Sequence, residues 1–258
     1  MSSSPRLDVN CDLGEAETPS GISQDLRLLP FVTSVNIACG GHAGTAESMR
    51  RLVAAAIERG LAIGAHPGFP DRATGGRQEQ PWTAEWIKNE LGSQINRLQT
   101  IARELGARLT HVKPHGALYN MAARDLRLAD AIASTVQAFD RSLILVGLAG
   151  SELLVAGQNA LLRVAAEGFA DRAYYSNGHL IPRSQPDALV TDEALVVARA
   201  LTLALEHSVI AGDGTSLRLH VDTLCLHGDT AGALRLAKAV YDALQNAGVI
   251  VRRIDRGN

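Results

Sequence analysis

The chain has 258 residues, 46% hydrophobic and 20% charged, enough to bury one large core, and (β/α) barrels run to this length as a single domain. A net charge of -2 and an aromatic content of 4% offer neither a basic field nor a stacking platform for nucleic acid or anionic lipid. The first residues contain no apolar signal segment, no apolar run reaches bilayer length, and Cys11, Cys39 and Cys225 are too isolated for a disulfide framework or a thiolate zinc site. The expectation is a cytoplasmic protein with no nucleic-acid or membrane partner.

Strand-like segments alternate with amphipathic helical ones. Residues 7–11 read as a first strand and 34–39 as a second; a helix over 45–59 opens at a Thr45 cap and stops at Gly60, and 61–65 is a third strand. Residues 67–81, rich in Gly, Pro, Asp and Arg, are long for a connection and read as a functional lid. A helix over 83–104 ends before Gly106, 110–112 is the fourth strand, 126–139 a helix and 143–146 the fifth strand. A short helix follows Ser151, 162–166 is the sixth strand, and 168–190 is a second irregular insertion. Helix 191–206, strand 223–226 and helix 230–247 complete the series, with 249–253 either closing the sheet or lying at its margin.

This alternation implies parallel strands with helical crossovers. No linker or repeat divides the chain, so residues 1–258 are read as one α/β domain. A barrel of seven or eight strands is favoured over an open doubly wound sheet, because polar residues follow nearly every strand instead of one switch point.

The strand ends carry the chemistry. Side chains alternate along a strand, which places Asp8, Asn10 and Asp12 on one face of the first and leaves Asn36 between apolar neighbours in the second. The second strand exits through Cys39-Gly40-Gly41-His42, the third through His66-Pro67-Gly68, and the fourth through His111-Val112-Lys113-Pro114-His115, with His111 and Lys113 on one face. The sixth ends at Glu167-Gly168 and the seventh at His227-Gly228-Asp229. In a parallel barrel these ends share the C-terminal face, where active sites of this architecture lie.

Lys113 is one of three lysines against 22 arginines, and beside a buried strand end it needs an anionic partner or a depressed pKa. Asp12-Leu13-Gly14-Glu15 reads either as a helix cap with a first-turn carboxylate or as part of a catalytic or metal site. His111 reads as structural, Cys39 and Cys225 as small buried hydrophobes, and Arg72 and Arg77 as a candidate anion clamp on the long loop. Glu167, Asp171, Arg172 and Arg183 either line the mouth or pair among themselves. The expected catalytic set is Asp12, Glu15, Lys113 and His115. Asn10, Asn36, His42, His66, Arg77, Glu167 and His227 are expected to bind substrate, and Asp12, His42, His66 and His115 are candidate ligands for a divalent metal. No P-loop, dinucleotide fingerprint or nucleophile elbow is present, so the inventory suits hydrolysis of a carbonyl or phosphoryl centre.

Seven ordered motifs resemble the LamB/YcsF family: Asp8-Val9-Asn10-Cys11-Asp12-Leu13-Gly14-Glu15, Ser34 through Gly44, Gly64 through Asp71, His111 through Asn120, Glu167 through Tyr174, Pro182 through Pro186, and His227-Gly228-Asp229. Ala16-Glu17-Thr18-Pro19, Gly41 and the loop 71–78 depart from the family's pattern near the expected mouth. The resemblance implies a seven-stranded β/α barrel similar to the glycoside hydrolase/deacetylase superfamily. It also implies an ATP-hydrolysing 5-oxoprolinase activity, converting 5-oxo-L-proline, ATP and water to L-glutamate, ADP and phosphate, with ATP as co-substrate and with two partner subunits, B and C. A lactam is a poor electrophile, and phosphorylating its oxygen would create a leaving group. Lys113 or Arg77 would then neutralise the phosphate while Asp12 or a histidine activates water. A stand-alone metal-dependent deacetylase-like hydrolase and a non-catalytic substrate-binding subunit remain as alternatives.

Overall fold

The computed structural model describes residues 4–227 and 232–255, except the side chain of His227. Seven parallel strands close into a barrel: β1 (Arg6–Leu13), β2 (Ser34–Ala38), β3 (Ala62–His66), β4 (His111–Val112), β5 (Ile144–Leu148), β6 (Arg163–Phe169) and β9 (Thr223–His227), the last pairing with both β6 and β1. The short β10 (Ile250–Val251) pairs beside Arg6 and Leu7, so it lies at the margin of the sheet. An antiparallel hairpin, β7 (Ser208–Ile210) and β8 (Ser216–Arg218), stands apart from the barrel.

Around the strands lie α1 (Pro19–Leu28), α2 (Ala46–Glu58), α3 (Ala84–Glu104), α4 (Gly116–Ala122), α5 (Leu126–Phe139), α6 (Glu152–Asn159), α7 (Glu193–Glu206) and α8 (Ala233–Asn246). Their starts are chemically marked. Thr45 and Ser48 form a capping box on α2, and the Thr83, Asp125 and Asp192 side chains accept first-turn amides of α3, α5 and α7. Helical spacing buries Leu91, Ile95 and Leu98 on α3, and Leu128, Ile132 and Val136 on α5, against the outward-facing Val9, Cys11, Leu13, Val35 and Ile37 in one continuous core. No helix among the described residues is long and apolar enough to cross a membrane.

The sequence did not announce α1, α4 or the β7–β8 hairpin. Helix α1 opens on Pro19-Ser20-Gly21, a composition that reads as a turn, yet Pro fits a first helical turn and the Thr18 hydroxyl accepts the Gly21 amide at 3.1 Å. Helix α4 starts directly at Gly116, whose φ of +54° brings the chain against the Gly76 carbonyl; a Cβ there would lie 2.6 Å from that oxygen.

The barrel interior is layered. Ile144, Val146 and Ala165 form a small apolar floor with Ile254 packed on it. Above them the inward faces are polar. Gly64 leaves room for the ring of His111, since a Cβ at Gly64 would lie 2.0 Å from His111 Nε2. Outside β1, Asp25 of α1 accepts the Gly14 amide at 2.8 Å and so pins the turn leading to Glu15; burial, with the Glu15 charge adding, raises its pKa to about 6.

Two stability measurements follow. Gly64→Ala overpacks the barrel and is expected to cost about 1–3 kcal/mol in urea unfolding, lowering Tm by several degrees. The folded-state pKa of Asp25 lies above its unfolded value of 3.8, so its contribution is full below about pH 4 and is lost as pH rises through about 6. Relative to the wild type, Asp25→Asn should therefore gain on the order of 2–3 kcal/mol between pH 4 and 7. Parallel pH dependences in the two proteins would refute that assignment.

Candidate functional site

A buried ion network occupies the barrel axis. Lys113 Nζ lies 2.9 Å from Asp12 Oδ1 and 2.8 Å from Glu167 Oε1, and donates to Cys225 Sγ at 3.2 Å. Burial opposes the ammonium, but the Asp12 and Glu167 charges outweigh it and hold its pKa well above the ordinary lysine value. Of the two expectations for this lysine, the anionic partner is the one realised. Burial keeps Cys225 a thiol, its pKa raised well above the ordinary value.

Each carboxylate is held by further donors. Tyr119 donates to Glu167 Oε2 at 2.8 Å, and Asn10 Nδ2 donates to Glu167 Oε1 at 2.9 Å. Asn36 Nδ2 bridges Asn10 Oδ1 and Asp12 Oδ1 at 2.7 and 2.8 Å, while its own Oδ1 faces His111 Nε2 at 2.6 Å. Burial, aided by the Lys113 charge, lowers the pKa of His111 to about 3, so this ring is neutral and structural. Deeper still, Asp8 accepts from Ser34, Thr33 and Thr223, and burial raises its pKa.

Three imidazoles sit above this network. The Lys113 carbonyl lies 2.8 Å from His66 Nδ1 and the Gly75 carbonyl 2.8 Å from His115 Nε2. Carbonyls only accept, so these partners assign the ring protons to His66 Nδ1 and His115 Nε2. The remaining nitrogens, His66 Nε2 and His115 Nδ1, then face each other at 2.9 Å as lone pairs. His42 stacks on His115 with ring centroids 3.6 Å apart, and both of its nitrogens are buried without a hydrogen-bond partner among the described residues. Burial, with the neighbouring His66 adding to it, pushes its pKa down to about 3. Burial also leads in holding His115 well below the ordinary histidine value.

Opposed lone pairs and an orphaned imidazole are the electrostatics of a cation site. Glu15 Oε1 stands 3.3 Å from His115 Nδ1 and 3.9 Å from His42 Nε2, and ligand atoms of Glu15, His42, His66 and His115 all fall within 4.8 Å of one another. Three imidazoles with a carboxylate, two of the rings oriented by backbone carbonyls, suit a divalent transition metal. In this grouping Glu15 takes the fourth position expected of Asp12, whose Oδ2 borders the cluster 3.3 Å from His66 Nε2.

A cleft of about 690 Å³ opens over these groups. Of the expected residues, Asp12, Glu15, His66, Arg77, Lys113 and His115 line it; Asn10, Asn36, His42 and Glu167 stand behind that wall. Arg77 reaches Glu15 at 3.4 Å, while Arg72 pairs with Glu17 at 2.5 Å. The side chain of His227 and the motif residues Gly228 and Asp229 lie outside the described residues. Sequence reasoning missed Tyr119, Phe169 and Asp25, which also line the cleft. Tyr119 lay inside a highlighted motif, so its place one helical turn beyond His115 was a usable signal; Asp25 sits in the helix the sequence did not announce.

The family model described as the LamB/YcsF family matches residues 7–258. A protein from Geobacillus kaustophilus (strain HTA426), named as the A subunit of 5-oxoprolinase, is 47% identical over 246 residues, covering 95% of this chain and 96% of the relative. A protein of the same name from Methylococcus capsulatus is 49% identical over 245 residues, covering 95% and 94%. The crystal structure of the lactam utilization protein from Thermus thermophilus superposes with a TM-score of 0.87 at 40% identity, covering 96% of this chain and 100% of that one. The Xyl-CE4 domain of a multidomain xylanase from the hindgut metagenome of Trinervitermes trinervoides covers 98% of this chain and 88% of its own at a TM-score of 0.51 and 12% identity, which is a likeness of fold alone. The chain belongs to the LamB/YcsF family.

Proposed function

We propose that this chain is the A subunit of an ATP-dependent 5-oxoprolinase, a cytoplasmic enzyme that opens the lactam of 5-oxo-L-proline to L-glutamate with ATP as co-substrate and subunits B and C as partners. The observation that carries this reading is the ammonium of Lys113, held between Asp12 and Glu167 on the wall of a cleft large enough for a small cyclic amide. The full-length relatives named as the A subunit of 5-oxoprolinase support the same assignment.

A lactam carbonyl resists water because nitrogen donates into it. Transfer of a phosphoryl group from ATP to its oxygen makes the ring carbon electrophilic; water adds there, the ring nitrogen takes a proton as the C–N bond breaks, and a second water hydrolyses the resulting acyl phosphate to glutamate and phosphate. Lys113 stays protonated, so its task is to neutralise negative charge growing on that oxygen, and it is no general base. Asp12 Oδ2, beside His66 Nε2, is placed to accept a proton from the attacking water. Tyr119, Asn10 and Asn36 keep the two carboxylates aimed at Lys113. Glu15, His42, His66 and His115 would hold a divalent metal, which when bound would polarise an oxygen or lower the pKa of water.

The four-group cluster also favours a second reading, a metal-dependent hydrolase that needs neither ATP nor partners. The two separate cleanly. With subunits B and C, ATP and 5-oxo-L-proline, the wild-type chain should support glutamate formation, and omission of ATP should abolish it. ATP-independent hydrolysis by the chain alone would favour the second reading. Asp12→Asn and Lys113→Met are each expected to lower kcat by about 10²–10³-fold. Full activity of both variants would remove these residues from the mechanism. Lys113→Met also strands two carboxylates, at a cost of about 3–5 kcal/mol, so its folding is to be checked by thermal melt.

The metal assignment has its own measurement. Elemental analysis of the purified chain is expected to find about one divalent ion per chain, with His66→Ala and His115→Ala each reducing affinity about 10–100-fold or more. A metal-free wild-type chain that binds no added divalent ion in a calorimetric titration would overturn it.

A further inference from the structure

The cations in the cleft wall are not equivalent. Lys113 lies between Asp12 and Glu167, Arg77 is 3.4 Å from Glu15, and Arg124 is 2.5 Å from Glu79. Arg172 has a different environment. It is only 4% exposed; its Nη2 donates to the Ile181 carbonyl at 2.7 Å, and its Nε is buried with no hydrogen-bond partner among the described residues. Arg183 lines the same cleft. Burial first, and then the Arg183 charge, pulls the Arg172 pKa down to about 10, and the opposing pull of Asp171 is smaller. A guanidinium kept charged at neutral pH in a largely dry wall, bonded to one carbonyl and with its Nε unpartnered among the described residues, has donor capacity suited to an anion. Phe169, Leu180 and Pro182 line the cleft beside it and supply apolar surface.

We infer that Arg172, assisted by Arg183, is the carboxylate-binding subsite of the cleft, taking a small cyclic acid whose saturated ring lies on Phe169, Leu180 and Pro182. The inference rests on the function proposed above and adds to it the group that selects the substrate: a lactam bearing a carboxylate is admitted, and one without it is not. Carboxylate is favoured over phosphate because the apolar surface adjoins the guanidinium, as a ring carrying a single planar anion requires, whereas a polyphosphate would need donors on all sides. Arg172 binds the substrate away from the reacting carbon and has no part in the proton transfers.

The test is a calorimetric titration of the full chain with 5-oxo-L-proline and with 2-pyrrolidinone, the same lactam lacking the carboxylate. The wild type should bind the acid about 10–100-fold more tightly, and Arg172→Gln should erase that preference while leaving the affinity for 2-pyrrolidinone unchanged. Arg172→Lys, which keeps the charge and a donor for the Ile181 carbonyl but loses the planar fork, should fall between the two; thermal melts of both variants establish that each is folded. In the enzyme assembled with B and C, Arg172→Gln should raise KM for 5-oxo-L-proline with kcat nearly constant. Equal wild-type affinity for acid and neutral lactam would overturn the inference, as would an unaltered Arg172→Gln or a defect confined to the KM for ATP. Binding is read on the chain itself, so an assembled enzyme that makes no glutamate would sink the proposed function while Arg172-dependent acid binding still supported the subsite.

Discussion

One ammonium between two carboxylates, at the open end of a β-barrel's interior, organises this molecule. Taking such charges out of water costs several kcal/mol per ion, and the cost is tolerated only where the remaining lone pairs and protons are satisfied. Here Asn10, Asn36, Tyr119 and Cys225 complete the shell around Lys113, Asp12 and Glu167. Those groups come from β1, β2, the residue after β4, α4, β6 and β9, so strand register and charge satisfaction are one condition. A slip of one residue in any of these strands would turn its polar side chains outward into the helix layer.

The layering follows from the same condition. Aliphatic side chains fill the bottom of the barrel, the Asp8 carboxylate with its hydroxyl donors and the amides of Asn10 and Asn36 the middle, and the Lys113 ion network and the three strand-end histidines the top. Polarity thus rises toward the open end, where water and substrate arrive. The histidines extend the gradient one step further, their tautomers chosen by backbone carbonyls of Lys113 and Gly75.

Much of this was legible in the sequence. Alternation along β1 identified Asp8, Asn10 and Asp12 as one face, and all three point into the interior network. Residues ending strands beside Gly or Pro identified His42, His66, Lys113 and His115, which the closed barrel brings to one end. Local patterns could not rank these groups by depth: Asn10, Asn36, His42 and Glu167 read in sequence like the cleft-lining residues, whereas they support that lining from behind. Nor could they show that Glu15 joins His42, His66 and His115 within 4.8 Å while Asp12 borders the cluster at His66, since the chain between the two acids turns at Gly14, whose φ is +81°. Asp25 was hidden, and Arg172, read as lining the mouth or pairing with its charged neighbours, was left undecided, for another reason. One lies in a helix disguised by turn-forming residues, the other in an irregular segment crossing the barrel mouth, and both acquire meaning only from tertiary neighbours.

The Gly75 carbonyl has a wider consequence. It is the acceptor that sets the His115 tautomer, while the next carbonyl, that of Gly76, receives the Ala117 amide at the start of α4. The same loop carries Arg77 to Glu15. This short strap therefore fixes an imidazole tautomer, the first turn of a helix and a carboxylate–guanidinium pair at once. A substitution that reshaped the backbone at Gly75 or Gly76 would thus be felt at three places in the mouth together, the tautomer, the helix start and the ion pair.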